Sequence, residues 1–335
     1  MHPLTMAPQP DCVGRMAVIG FHCSHEQIPP STLLRDVAHA HEAGFQAAMC
    51  SDHLSPWLDD QGESGFAFAW LGAALASTPL PLGVVHAPGQ RYHPVVSAHA
   101  IATLGEMFPG RFWAALGSGE NMNEHVTGEP WPDKPARELR LRESVDVIRR
   151  LLAGEVVSHE GTFAVDRARI WSLPATPPPL IGAAIAPASA ASHAQWADGL
   201  ITVAGEVAAL REVVGAYRDA GGRGPVSAQL HLSWAAAEAE ALATAREQWR
   251  SGTVAPPEAW DLALPDDFER RTADASEEAI RRAVTVSSDL AVHEARIAEI
   301  LGTGVDAVYL HHVGQQQTAF IDAFGERVLP GLVAS

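Results

Sequence analysis

Positive charge is scarce in this chain. Among 335 residues there are 23 Lys and Arg against 40 Asp and Glu, a formal net charge of −17, and Lys134 is the only lysine. Such a chain does not hold a nucleic-acid backbone or an anionic membrane by bulk charge. Any phosphate it binds needs a local cradle of backbone N–H groups or a few basic side chains. Cysteine is nearly absent too. Cys12, Cys23 and Cys50 make no disulfide framework and lack metal-ligand spacing, so a reducing cytoplasm is the simplest reading. No apolar run reaches the ~20 residues that span a bilayer. Met1 to Arg15 carries Pro3, Pro8 and Pro10 but no apolar signal core, and reads as a flexible leader before order begins near Met16. Short repeats are missing. No G-x-G-x-x-G opens a helix after the first strand, which weighs against a Rossmann-type site.

What is present is a hydrophobic fraction of 47%, enough for a sizeable core, in short apolar runs that alternate with amphipathic ones. Strands are expected at 17–21, 45–49, 82–86, 111–116, 180–185, 199–203, 226–232 and 305–311. Helices are expected at 31–43, with Ser31 as N-cap, and at 66–76, 95–107, 134–153, 188–196, 207–220, 235–250, 290–301 and 317–328. Eight strands, apolar on both faces and each followed by a helix, predict a TIM (β/α)8 barrel over an open doubly wound sheet. Residues 16–335 read as one domain with insertions near 118–133, 154–178 and 251–289.

In a barrel the chemistry collects at the carboxyl ends of the strands. Two clusters stand there: Cys50-Ser51-Asp52-His53-Leu54-Ser55-Pro56-Trp57 after strand two, and Gly117-Ser118-Gly119-Glu120-Asn121-Met122-Asn123-Glu124 after strand four. The other strand ends add His22, Ser24, His25 and Glu26, then His86 and Arg91-Tyr92-His93, and finally His311 and His312. The density of imidazoles and carboxylates, with no basic run, fits proton handling on a substrate that need not be strongly anionic. An imidazole with a pKa of about 6.5 serves as a base at neutral pH, and a buried carboxyl can return a proton.

Ser51-Asp52-His53 with Pro56-Trp57, then Arg91-Tyr92-His93-Pro94, Phe108-Pro109-Gly110-Arg111 and Gly117-Ser118-Gly119-Glu120 with Asn123-Glu124 occur in an order that resembles the bacterial luciferase-like flavin-dependent superfamily. Within it the chain resembles the branch of deazaflavin-dependent glucose-6-phosphate dehydrogenase, and in particular a subgroup of flavinoid oxidoreductases that do not use the deazaflavin. The likeness spans roughly 16 to 332, Phe320-Ile321-Asp322-Ala323-Phe324 included. It implies a luciferase-like barrel with FMN at its mouth, or alternatively 8-hydroxy-5-deazaflavin coenzyme F-420, and hydride transfer with a small organic substrate. By position it implies His53 as base or orienting group, Trp57 as an aromatic near the substrate and Glu120 as proton donor. Asp52, Ser118, Gly119 and Asn123 would contact the ring edge and ribityl chain. Val84-Val85 would form a cis peptide behind the ring, held against ~3–4 kcal/mol. Ala183, Ala184, Ile185 and Ala186 would line the cofactor phosphate. A homodimer is also implied. Two departures stand out: Glu206 and Ala283 occupy positions where the sugar-phosphate enzymes carry phosphate-gripping cations, so glucose 6-phosphate is not the expected substrate.

Each feature has a plainer reading. His53 alone could be a turn histidine, and Glu120 alone a carboxylate at a helix start. His22, His25 and His86 read as pocket lining, Trp70 and Trp113 as core, and Cys50 as a small buried hydrophobe. His311 and His312 point to opposite faces of a strand, so at most one faces the barrel interior. Competing functions are an FMN monooxygenase fed by a partner flavin reductase, a metal-dependent hydrolase, and a non-catalytic flavin-binding protein. Against the hydrolase, His22-x-x-His25 is not the His-x-His pair, and Lys134 is misplaced to bridge two metals.

Overall fold

A computed structural model describes residues 17–333; the leader and Cys12 lie outside them. Eight parallel strands form the barrel: β1 (Val18–Cys23), β2 (Ala47–Ser51), β3 (Leu82–His86), β4 (Phe112–Leu116), β5 (Leu180–Ala183), β6 (Leu200–Val203), β7 (Val226–Ser233) and β8 (Ala307–His312). They pair in the order β7-β8-β1-β2-β3-β4-β5-β6, and β6 closes on β7. The TIM barrel expected from the alternation is the fold. Strand two runs two residues further than its apolar stretch implied, so Cys50 and Ser51 belong to the ladder, opposite Val84 and Val85, and the turn starts at Asp52.

The outer shell is built by α1 (Pro30–Glu42), α2 (Ala67–Ser77), α3 (Pro94–Met107), α4 (Lys134–Leu152), α5 (Pro187–His193), α6 (Val207–Asp219), α7 (Glu238–Trp249), α8 (Leu290–Leu301) and α9 (Gln317–Arg327). Ser31 does not cap α1. Pro29 holds that place and Pro30 the first helical position, where a missing N–H costs nothing. At α4, Asp133 caps as its type predicts, accepting from the Ala136 N–H at 2.9 Å. Between strands and helices lies the main core, with Ile19, Phe21, Leu82, Val84, Leu116 and Leu230 buried toward the helices.

Alternation sends the other side chains into the barrel. There Met49, Ala115, Ile181, Ile201, Ala307 and Tyr309 form a plug, with Trp113 half-buried beside it. Two large rings need room, and two glycines supply it: a Cβ on Gly20 would lie 2.3 Å from the Tyr309 ring, and one on Gly83 would lie 1.9 Å from the Trp113 indole. Trp70 is buried in the outer core. Residues 154–178 contain the antiparallel hairpin Val157–Glu160 with Ala164–Ala168. Residues 251–289, expected as an insertion, lie beyond β7 and its helix. Short helices Glu258–Asp261, Pro265–Thr272 and Glu277–Ala283 form a cap, and Thr285–Val286 adds a strand to the edge of β7. Among the described residues no helix is long and apolar enough to cross a membrane.

Candidate active site

The last inward-facing layer before the carboxyl ends divides in two. On β3 to β6 it is small or apolar: Val85, Gly117, Ala183 and Val203, all partly or well exposed. On β7, β8, β1 and β2 it is polar: Gln229, His231, His311, His22 and Ser51. Along β7 the residues facing the helices are buried, while Ser227, Gln229 and His231, which face the barrel axis, are partly exposed. The mouth is therefore open on that side.

His53 and Glu120 converge at this mouth, from the turns after β2 and β4. His53 Nε2 lies 3.6 Å from Glu120 Oε2, and the two side chains are 15% and 23% exposed. The other imidazole nitrogen, Nδ1, is in contact with Glu26, a carboxylate 2% exposed after β1. Burial alone would push the His53 imidazole down, but the Glu26 carboxylate, joined by Glu120, raises it to about 9. Burial likewise works to raise Glu26, and the facing His53 overrides it and holds the acid at about 2. Glu120 has no such close partner, and burial, with Glu26 and Glu124 nearby, raises it against the pull of His53. The base expected near pH 6.5 is thus an imidazolium at neutral pH, flanked by one firmly ionised carboxylate and one acid with raised affinity for protons. Such a row can hold, give or take a proton at Nε2.

Glu26 was legible only as one polar residue after strand one. No sequence signal separates it from its polar neighbours; that Phe21 to Ile28 is buried throughout is visible only in the fold. A buried carboxylate demands a cation, and His53, in the turn after the adjacent strand, supplies one.

Trp57 stands edge-on to His53, with ring centroids 5.3 Å apart, and is itself braced by Phe268 of the cap at 5.2 Å. The Trp57 backbone N–H donates to Gln61 Oε1 at 2.7 Å. Asn123 ties the two turns together: its Oδ1 accepts from the Leu54 N–H at 2.8 Å, and its Nδ2 donates to Glu120 Oε2 at 3.3 Å. It positions Glu120 and is only 4% exposed.

The resemblance puts Asp52 at the ring edge; in the fold its carboxylate is taken up by protein partners. Its side chain is wholly buried, meeting His86 Nδ1 at 3.0 Å, the Arg91 guanidinium at 3.2 Å and the Tyr92 hydroxyl at 3.3 Å. Burial would raise this acid, but those three partners bring it below its ordinary value. Arg91 also donates to the Asp52 carbonyl at 2.6 Å, so it pins the backbone just before His53. The Val84-Val85 bond is not cis. Val84 and Val85 pair in register with Cys50 and Ser51 on one side and Ala114 and Ala115 on the other, and the cis bond among the described residues is Pro256-Pro257.

Ser118 borders a narrow cleft with Gln90, Glu124 and Arg137, and Gly119 lies against Glu124 and Ala87. Ala183 accepts from His193 Nε2 at 3.2 Å, Ala184 is buried, Ile185 is exposed and Ala186 begins α5. His311 faces inward, stacked on His22, while His312 faces outward on Phe320. Cys50 is buried, and burial pushes its thiol well above its ordinary value. Among the described residues no group of three or more His, Cys, Asp or Glu is arranged to hold a metal ion.

The small, partly exposed side chains of the apolar half suit a flat ring. Gly117 tests the point: its φ is ordinary and a Cβ there would meet only Ala183 at 3.6 Å, so protein packing does not demand glycine. The missing side chain leaves open surface beside Ala183, in the layer that also holds Val85 and Val203.

Comparison with known proteins agrees with this geometry. Residues 16–320 match the family model described as luciferase-like monooxygenase. The chain is 35% identical over 327 residues to an F420-dependent glucose-6-phosphate dehydrogenase of Nakamurella multipartita, covering 94% of this chain and 96% of that one. It is 32% identical to an F420-dependent hydroxymycolic acid dehydrogenase of Mycobacterium tuberculosis, over 98% of this chain and 91% of the other. Among solved structures, an F420-dependent secondary alcohol dehydrogenase in complex with an F420-acetone adduct superposes with TM-score 0.87 at 28% identity, covering 95% and 99% of the two chains. The chain belongs to the luciferase-like monooxygenase family, in the branch that holds these dehydrogenases, and is an oxidoreductase.

Proposed function

We propose that this enzyme moves a hydride between a deazaflavin of the F420 type and an oxygen-bearing carbon of an uncharged substrate. The carrying observation is the Glu26–His53–Glu120 row at the edge of the apolar ledge. The sequence reading ranked FMN ahead of the deazaflavin; the names of the relatives reverse that order. Val85, Gly117, Ala183 and Val203 would hold a deazaflavin, which would supply a two-electron hydride acceptor and donor.

The protein's part is proton and position. In the reducing direction His53, charged at neutral pH, donates from Nε2 to the carbonyl oxygen as it gains negative charge. In the oxidising direction the same nitrogen, once deprotonated, takes the hydroxyl proton. Glu26 keeps the imidazole oriented and stabilises its charge throughout. Glu120, whose affinity for protons is raised, exchanges protons at the face turned toward the ledge. Trp57 shields the reacting carbon from water.

The substrate is not glucose 6-phosphate. Glu206 after β6 is exposed, and Ala283 packs against an apolar cluster of Trp249, Ile280 and Val284, so neither offers a cation to a phosphate. The enzyme works as a homodimer in this reading. Titrating the purified protein with F420 and with FMN, followed by fluorescence quenching, tests the cofactor: tight binding of F420 and weak binding of FMN is expected, and the reverse order would restore the monooxygenase reading with its partner reductase. Adding glucose 6-phosphate to the F420-loaded protein should leave the deazaflavin absorbance unchanged.

A further inference from the structure

One carboxyl group beside the mouth takes no part in the proton row. Glu124 ends the short helix Asn121–Glu124 after β4 and is 1% exposed. Its Oε2 accepts from the Arg91 backbone N–H at 2.6 Å, while its Oε1 has no hydrogen-bond partner. Burial raises this acid, and the backbone N–H groups of Arg91 and Gln90 work against that. A buried carboxyl with one oxygen unpaired is costly to fold. Two glycines nonetheless make room for it. A Cβ on Gly89 would lie 2.8 Å from Oε2, and one on Gly119, whose φ is +82°, would lie 3.3 Å from Cγ. Gly89 and Arg91 belong to the loop after β3. Helix α4 holds the start of that loop, through Ser144 on the Pro88 carbonyl at 3.2 Å and Arg140 on the Gly89 carbonyl at 3.2 Å. Glu124 holds its end, at the residue whose guanidinium donates to the Asp52 carbonyl at 2.6 Å and to its carboxylate at 3.2 Å. Asp52 precedes His53 in the chain, so a line of contacts runs from Glu124 through Arg91 to the turn that carries the imidazole.

We propose that Glu124 is a positioning residue for His53: it fixes the Arg91 backbone, and with it the guanidinium that pins the turn after β2. The catalytic use of that position rests on the dehydrogenase reading above. An N–H donated to an ionised oxygen is shorter and stronger than one donated to a neutral oxygen, which suits a carboxylate to this place. A long side chain also stays on one partner more readily when its own backbone is held. His53 faces Glu26 from the loop after β1, Glu120 from the turn after β4 and Arg91 from the loop after β3, with neutral His22, His25 and His311 around it. Of these, Glu26 does most to keep it charged, and Arg91 opposes the charge. If the turn loosens, the Glu26 contact is lost and the proton affinity of His53 falls. If only the Arg91 charge withdrew, it would rise. The sign of the change separates the two.

The test follows the His53 ring by NMR in the full-length protein, its signal assigned by its loss in His53→Gln. Wild type should titrate near 9. Glu124→Ala should lower that by about one unit, toward the ordinary histidine value. Glu124→Gln loses the charge but keeps an oxygen for the Arg91 N–H, and should stay within about 0.3 unit of wild type. Gly89→Ala, which sets a methyl against Oε2 and leaves the carboxylate in place, should move the titration in the same direction as Glu124→Ala. An unchanged or raised value in Glu124→Ala, or in Gly89→Ala should the first variant not fold, would overturn the proposal. So would equal falls in Glu124→Ala and Glu124→Gln, since the charge alone would then be at work. On the F420-loaded enzyme with secondary butanol, kcat should fall about tenfold in Glu124→Ala and recover to within about threefold in Glu124→Gln. Titrations as expected with no reduction of F420 by the alcohol in any of the proteins would count against the dehydrogenase reading and leave the role of Glu124 standing.

Discussion

At the scale of single residues, His53 is governed by partners from other strands. Glu26 on its Nδ1 side and Glu120 on its Nε2 side hold it charged across the physiological range. Replacing Glu26 with Gln removes the stronger of the two. The apparent pKa in the pH profile of kcat/KM should then fall from near 9 by a unit or more, toward the ordinary histidine value of about 6.5. A profile that stays in place would mean that Glu26 does not face the reacting histidine in the loaded enzyme. Asp52 behaves differently, because its carboxylate serves structure. Asp52→Ala leaves His86, Arg91 and Tyr92 without their shared acceptor, and breaking such a buried pair costs about 3–5 kcal/mol. Chemical denaturation should show that loss, with the turn before His53 loosened and kcat reduced.

At the scale of elements, the turn after β2 is the part that other elements hold in place. Asn123 fastens it from the turn after β4, Arg91 from the loop after β3, and the cap insertion through Phe268 and Trp57. Phe268 is fully buried in a small satellite cluster with Leu58 and Met122. Phe268→Ala should cost about 3–5 kcal/mol locally and free the Trp57 indole. Because Trp57 shields the substrate without exchanging protons, KM should rise more than kcat falls. Steady-state kinetics separate the two, and an unchanged KM would detach the cap from substrate binding.

At the scale of the whole molecule, burial sets the acid limit of stability. His22 and His312 are held near 3, His25 and His231 near 4, and His311 well below its ordinary value, all through burial. The unfolded chain binds protons at these five positions below about pH 6.5, and the native state does not. Stability therefore rises with pH wherever the unfolded state holds more protons, by up to about 1.4 kcal/mol per pH unit for each such histidine. His53 has the opposite sign. Its folded value is raised, so its contribution is full below about pH 6.5 and is lost as pH climbs through about 9. Thermal unfolding should show a steep decline starting near pH 6 on the acid side and a shallower one toward pH 9. The basic limb should vanish in His53→Gln while the acid limb remains.

The barrel itself was readable before any coordinates, because a strand covered by helices must be apolar on both faces, and periodicity records that directly. Strand ends such as Leu82 to His86 and helices such as Leu290 to Leu301 fall where the apolar pattern puts them. Residue chemistry likewise marked His53, Trp57 and Glu120, since an acid, an imidazole and an aromatic beyond strand ends have little reason to be there for turning the chain. Which groups meet was another matter. That Glu26 pairs with His53, that Asp52 turns inward to His86 and Arg91, and that His22 lies stacked and unpartnered beside His311 depend on distances between strands far apart in sequence. Only closure of the barrel fixes those distances. A pattern along one chain records which face each side chain takes, but it holds no measure of how near the facing side chain of another strand will lie.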